Sequence, residues 1–217
     1  MDIRFKTVVV QKSMVRSGGT VLRLILNRVF NDEKCFANHS YRYPVDRTHS
    51  YEKLRPGGNK VLITTWRDPK DVAVSLIRVG RKKTFSSNSD LVAACDDIMG
   101  SFNGIRLAEK ENPEGLFLKY ENWHCNFDYL FDRLEDTYDG KISKEIRDSI
   151  EKDFSKEAIR KKQSVFSNFS EYDKDTHIHG DHVHNGFRQW DKVFNEKQIK
   201  ILDNKLESYI EYWEKLE

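Results

Sequence analysis

Apolar residues along this chain fall into two recurring arrangements. Short unbroken runs rich in β-branched residues read as buried strands, and runs with an apolar residue every three or four positions read as helices that cover them. Thr7-Val8-Val9-Val10-Gln11 is the first strand run. From Thr20 to Phe30, the positions Val21, Leu22, Leu24, Ile25, Leu26 and Val29 give a helix with one broad apolar face. Residues 31–60 are mixed and polar, with turns marked by Pro44, Pro56 and Gly57-Gly58. Val61 to Trp66 is the second strand run, and Pro69 suits the first turn of a helix predicted from about Lys70 to Val79. A longer helix is predicted from Ser89 to Glu111, stopped by Asn112-Pro113. Gly115 to Tyr120 reads as a third strand and Phe127 to Leu134 as the next helix. Ser143 to Lys162 reads as one highly charged helix, and Lys197 to Trp213 as an amphipathic one. Between them, residues 163–188 lack an apolar period and read as a flexible loop lying over a site. Strands alternating with helices predict an α/β fold of three layers. Its parallel sheet is covered by helices on both faces, and ligands bind at the strand C-terminal ends.

A chain of 217 residues predicts one domain spanning 1–217, large enough to remove roughly 70% of its unfolded surface from water. With 37 basic and 35 acidic residues the net charge is only +2, which argues against a nucleic-acid partner. It leaves room for a local basic pocket that holds a small anion. Cys35, Cys95 and Cys125 are scattered without CxxC spacing, so a reducing, cytoplasmic location is expected. The N-terminus carries no apolar leader, and no apolar run approaches the ~20 residues of a membrane span. No membrane partner is therefore expected.

The candidate chemistry lies in two strand-to-helix turns. The first is Lys12-Ser13-Met14-Val15-Arg16-Ser17-Gly18-Gly19-Thr20. Its glycines let backbone N–H groups turn toward an anion, and the helix N-terminus adds a favourable dipole. Arg16 supplies charge and a planar donor fork, while Ser17 and Thr20 supply hydroxyls. The nucleoside-triphosphate pattern GxxxxGK[ST] is absent, and a glycine-bearing turn without a ligand would look the same. The second turn, Arg67-Asp68-Pro69-Lys70-Asp71-Val72-Ala73-Val74-Ser75, again joins an arginine to a hydroxyl. Its plain structural reading is a capped helix with exposed charges.

Together these segments resemble the sulfotransferases that use 3′-phosphoadenosine 5′-phosphosulfate (PAPS). Val15-Arg16-Ser17-Gly18-Gly19-Thr20-Val21 is similar to that family's Pro-Lys/Arg-Ser-Gly-Thr-Thr-Trp loop around the 5′-phosphosulfate. Arg67 and Ser75 match the Arg-x-Pro-x-Asp-x-x-x-Ser signature, whose Arg and Ser bind the 3′-phosphate. Phe117 to Asn122 resembles the family's Leu-x-x-Tyr-Glu-Asp, which makes Tyr120 a candidate adenine contact. Asn185 to Asp191 resembles, in part, the Arg-Lys-Gly-x-x-Gly-x-Trp closing loop, with Gly186 and Arg188 as candidate contacts. The resemblance implies a P-loop NTPase-like sulfotransferase fold and a PAPS co-substrate. It implies a donor site formed by Arg16, Ser17, Gly18, Gly19, Thr20, Val21, Arg67, Ser75, Tyr120, Gly186 and Arg188.

Sulfuryl transfer needs a group that accepts the acceptor's proton, and histidine suits the task. Arg47-Thr48-His49 stands where the family's Lys-Thr-His motif stands, so the resemblance selects His49 as the base. Arg16 would be the catalytic cation, and Glu52 and His39 are rivals to His49. A solvated loop histidine is the plain alternative. His177, His179, His182 and His184 could supply imidazoles to a metal. No cysteine lies nearby and only Asp175 and Asp181 adjoin them, so the stretch reads as a polar lid and no metal is assigned. The acceptor is expected to be a small molecule or a glycan with a hydroxyl or amine, and a homodimer stays open. The competing readings are a small-molecule or nucleotide kinase, and a non-catalytic nucleotide-binding protein.

Overall fold

The computed structural model describes residues 8–30, 35–38, 60–79, 85–124, 126–138, 140–174, 176, 178–180 and 187–216. Four strands, β1 (Val8–Ser13), β2 (Cys35–Asn38), β3 (Lys60–Trp66) and β4 (Leu116–Lys119), form a sheet ordered β2-β1-β3-β4. Every neighbouring pair runs parallel, with Val9 opposite both Cys35 and Val61, and Ile63 opposite Leu116. β2 lies in the stretch whose polar composition predicted only turns; four residues without apolar alternation carry no strand signal.

Helix α1 (Gly19–Phe30) follows β1 and buries Val21, Leu22, Ile25, Leu26, Val29 and Phe30, each worth about 1.5–3 kcal/mol on full burial. They pack with Val9 and Ile63 of the sheet and with Leu130, Phe131 and Leu134 of α5 (Phe127–Tyr138). On the other face, α2 (Pro69–Val79) and α3 (Asn88–Glu111) pack with α9 (Glu196–Lys215) around Trp66, Phe102, Leu206 and Tyr209. Val10 and Leu62 meet Ala108 on that same α3 side. The two faces are thus separated by the strand alternation itself. Among the described residues the sheet is parallel and covered on both sides, as the alternation predicts.

Local signals explain most element ends. The Asp68 carboxylate accepts the N–H groups of Lys70 (2.8 Å) and Asp71 (3.3 Å), capping α2 ahead of Pro69. Ser87 caps α3, and Asn195 forms a capping box with Gln198 at α9. The predicted helix over Ser143 to Lys162 is instead two, α6 (Lys144–Phe154) and α7 (Lys156–Gln163). Ser155 breaks it: its ψ of 156° leaves the helix, and its hydroxyl accepts the Ala158 N–H to start the next one. Two one-turn helices, α4 (Tyr120–Trp123) and α8 (Trp190–Val193), complete the set. No helix among the described residues is long and apolar enough to cross a membrane.

Candidate functional site

β1 leads through α1 to β2 on one side, and the chain then crosses back to place β3 on the other side of β1. The C-terminal ends of β1 and β3 therefore meet at the switch point of the sheet, where open α/β folds form ligand crevices. The turns containing Arg16 and Arg67 leave from these two ends. Met14 N–H donates to the Thr65 carbonyl (2.9 Å), which extends the β1–β3 ladder into the first turn.

The first turn is held by its own groups. Ser17 is fully buried, and its hydroxyl donates toward the carbonyls of Met14 and Thr65. Thr65 Oγ1 returns a bond to the Ser17 carbonyl (3.2 Å) and accepts from Trp123 Nε1 (2.9 Å). The Ser17 hydroxyl, expected from the sequence to face a ligand, here bonds to carbonyls of the chain itself. Gly18 has φ 76°, and a Cβ there would lie 2.7 Å from the Tyr120 ring. Glycine is required on both counts. A Cβ on Gly19 would meet Ser13 at 2.7 Å. Thr20 is half-buried, whereas the Val21 side chain is buried in the core, leaving only its backbone to the loop.

The two turns are joined through their arginines. Arg16, itself in the left-handed region at φ 62°, donates from Nε to Ser75 Oγ at 2.9 Å. Arg67 donates from one terminal nitrogen to the Arg16 carbonyl (3.1 Å), and its other lies 3.9 Å from the Asp71 carboxylate. Its Nε is buried with no hydrogen-bond partner among the described residues. The Arg67 guanidinium lies 4.9 Å from the centre of the Tyr120 ring, and that of Arg16 lies 4.9 Å from the Phe169 ring. Phe169 in turn stacks on His179 at 4.4 Å. The helix α1 N-terminus, two guanidinium groups and Ser75 thus converge, an arrangement whose chemistry is the binding of anions.

Further residues of these segments brace the turns, through contacts that the sequence does not pair. Asp71 is fully buried and accepts the N–H groups of Arg188 (2.8 Å), Gln189 (2.7 Å) and Trp190 (3.3 Å). Trp190 Nε1 donates to Asp68 (3.1 Å), and Glu121 accepts the Asp68 N–H (2.9 Å). Tyr209 donates to the Arg67 carbonyl at 2.7 Å. Burial raises the carboxyl groups of Asp71 and Glu121 above their ordinary range, with Arg67 opposing the rise in both. His124, beside Tyr120, is lowered to about 3 by burial, helped by the positive charges of Arg67 and Lys156. Arg188 is exposed at φ 55° with its guanidinium over the Trp190 ring. His49, Arg47, Glu52, His39, Gly186, His177, His182 and His184 lie outside the described residues.

A parallel α/β sheet with two cationic turns at its switch point is suited to a ligand with more than one anionic group. The sulfotransferase domain family matches residues 48–216, and the chain belongs to that family. The matched span contains Arg67, Ser75 and Tyr120, while the Arg16 turn precedes it. No curated protein matches the chain in sequence. Among solved structures, mouse sulfotransferase SULT7A1 complexed with PAP shares the fold at TM-score 0.62 and 16% identity, over 94% of this chain and 83% of that one. Retinol dehydratase with androsterone and inactive cofactor PAP gives TM-score 0.56 and 17% identity, over 94% and 80%. Retinol dehydratase with retinol and PAP gives 0.54 and 18%, over 94% and 81%.

Proposed function

We propose that the protein, acting as one domain, moves a sulfuryl group from PAPS to a hydroxyl or amine of a small acceptor. The observation that carries this reading is the pairing of the turns: Arg16 bonded to Ser75, with Arg67 on the Arg16 carbonyl. Two guanidinium groups at adjoining strand ends suit two anionic groups on one nucleotide. The donor set fits the ligand further, because the Arg67 Nε is a buried donor without a partner among the described residues. The likeness to structures that contain PAP points the same way.

When bound, PAPS supplies the activated sulfuryl group. Arg16 and the backbone N–H groups at the start of α1 stabilise charge on the 5′ side, where the leaving phosphate and the spectator oxygens lie. Arg67 and Ser75 bind the 3′-phosphate and orient the nucleotide, and the flat Tyr120 ring offers a surface to the adenine. Arg188 adds positive charge at the rim. His49, assigned from the resemblance alone, takes the acceptor's proton as its oxygen or nitrogen bonds to sulfur.

Calorimetric titration tests the donor. Adenosine 3′,5′-bisphosphate is expected to bind at least 10-fold tighter than AMP, since a charge-assisted phosphate contact contributes about 1.5–3 kcal/mol. Arg67→Ala and Ser75→Ala should each erode that preference. ATP binding as tight as the bisphosphate would favour the kinase reading instead. For the base, radiolabelled PAPS turnover against a panel of phenols, alcohols and amines should fall about 100-fold or more in His49→Ala. Unchanged turnover would move the role to another residue, Glu52 first.

A further inference from the structure

We infer that Asp71 is a positioning residue through which the site distinguishes nucleotides carrying a 3′-phosphate from those lacking one. The inference rests on the proposed donor site and adds a determinant that does not itself touch the nucleotide. Asp71 is fully buried in the first turn of α2, one helical turn before Ser75. A buried carboxylate is retained only where donors surround it, and here they come from two elements of the site. Its Oδ2 accepts the Arg188 N–H at 2.8 Å and lies 3.9 Å from Arg67. Its Oδ1 accepts the N–H groups of Gln189 at 2.7 Å and Trp190 at 3.3 Å.

Three consecutive backbone N–H groups around one anion, with Arg188 in the left-handed region, form the concave arrangement that elsewhere holds phosphate. Here the anion is a side chain of the protein. The carboxylate fixes the 188–190 turn on α2 and steadies the Arg67 guanidinium, so Arg67, Ser75 and Arg188 share one frame. Asp68 reinforces it, by capping α2 and by accepting from Trp190 Nε1 at 3.1 Å. Without the Oδ2 charge, Arg67 loses its facing carboxylate, keeping its bond to the Arg16 carbonyl, and the turn has a weaker first N–H partner. A phosphate at the 3′ position feels both losses, and the 5′ end, held by the Arg16 turn, feels neither directly.

The test compares adenosine 3′,5′-bisphosphate with AMP by calorimetry in wild type, Asp71→Asn and Trp190→Phe. Asparagine keeps the Oδ1 acceptor and removes the charge. Asp71→Asn is expected to weaken the bisphosphate about 10- to 100-fold and AMP less than about 3-fold, because a small misplacement of a binding group acts where that group binds. Trp190→Phe, which deletes the bond to Asp68 and keeps an aromatic ring beneath Arg188 and Lys70, should shift the ratio the same way by a smaller factor. Hydrogen exchange at residues 188–190 should quicken in Asp71→Asn while that of β3 stays unchanged. Equal weakening of both nucleotides, or of neither, with the wild-type preference intact, would overturn the inference and leave the donor reading standing. A wild type that shows no preference for the bisphosphate would overturn the donor reading, and the specificity role with it.

Discussion

Arg16 and Arg188 both hold backbone angles in the left-handed region, at φ 62° and φ 55°, where a side chain bearing Cβ is held at a cost of about 1 kcal/mol. Such strain persists where surrounding contacts over-determine it, and it gathers at binding sites. Replacing Arg188 with glycine should therefore raise stability by about 0.5–1 kcal/mol, seen as a small rise in Tm, while lowering affinity for adenosine 3′,5′-bisphosphate. His124 gives a second residue-scale prediction. Its folded pKa of about 3 lies below the ordinary 6.5, so the unfolded chain binds the proton more readily. Its contribution to stability is present above about pH 6.5 and is lost as pH falls from there toward 3, by up to about 1.4 kcal/mol per pH unit. Urea unfolding at pH 7 and pH 5 should show a smaller acid loss in His124→Gln than in wild type.

At the scale of elements, the Arg67 turn was legible because its determinants are local. Asp68, Pro69 and the apolar run before them specify a strand end, a cap and a helix within a few residues. The Arg16 turn was legible as a shape, and Gly18 is where that shape is most constrained. Gly18→Ala would push a Cβ to 2.7 Å from the Tyr120 ring at an unfavourable φ. It should cost about 1–3 kcal/mol and most of the nucleotide affinity, read by thermal unfolding with and without adenosine 3′,5′-bisphosphate. The break between α6 and α7 was not legible, because Ser155 lies in a charged helical pattern and serine is tolerated within helices as well as at caps. Its capping role appears only in its backbone angles and its bond to Ala158. Likewise the hydroxyl of Ser17 looked available in the sequence, and only the closeness of the Met14 and Thr65 carbonyls shows it committed.

Across the whole molecule, one buried carboxylate ties three elements behind the site. Glu109 of α3 accepts from Thr64 (2.6 Å) and Trp66 Nε1 (2.7 Å) of β3 and from Tyr212 (2.8 Å) of α9, and it pairs with Arg106. The same aromatic layer stacks Phe102 on Tyr209, whose hydroxyl reaches the Arg67 carbonyl. Helix α9 thereby buttresses the Arg67 turn from below. Glu109→Ala removes the shared acceptor of four donors, of which Trp66 Nε1 keeps its bond to Thr64 Oγ1, and should destabilise the fold by about 3–5 kcal/mol in urea unfolding. Adenosine 3′,5′-bisphosphate should recover part of this loss, since a ligand of the native state adds stability by mass action.

The sequence by itself determined most of the alternation of strands and helices, the two strand-to-helix turns and the arginine and hydroxyl in each. These depend on spacing, capping and glycine geometry over a few residues. The tertiary structure alone decided which of them meet. Arg16 and Ser75 are 59 residues apart and Asp71 and Arg188 are 117 apart. No local pattern encodes such a pairing. It follows from the strand order β2-β1-β3-β4, which sets the ends of β1 and β3 side by side, and from the buried charge of Asp71, whose desolvation is offset only when the chain's last turn before α8 comes back to meet it.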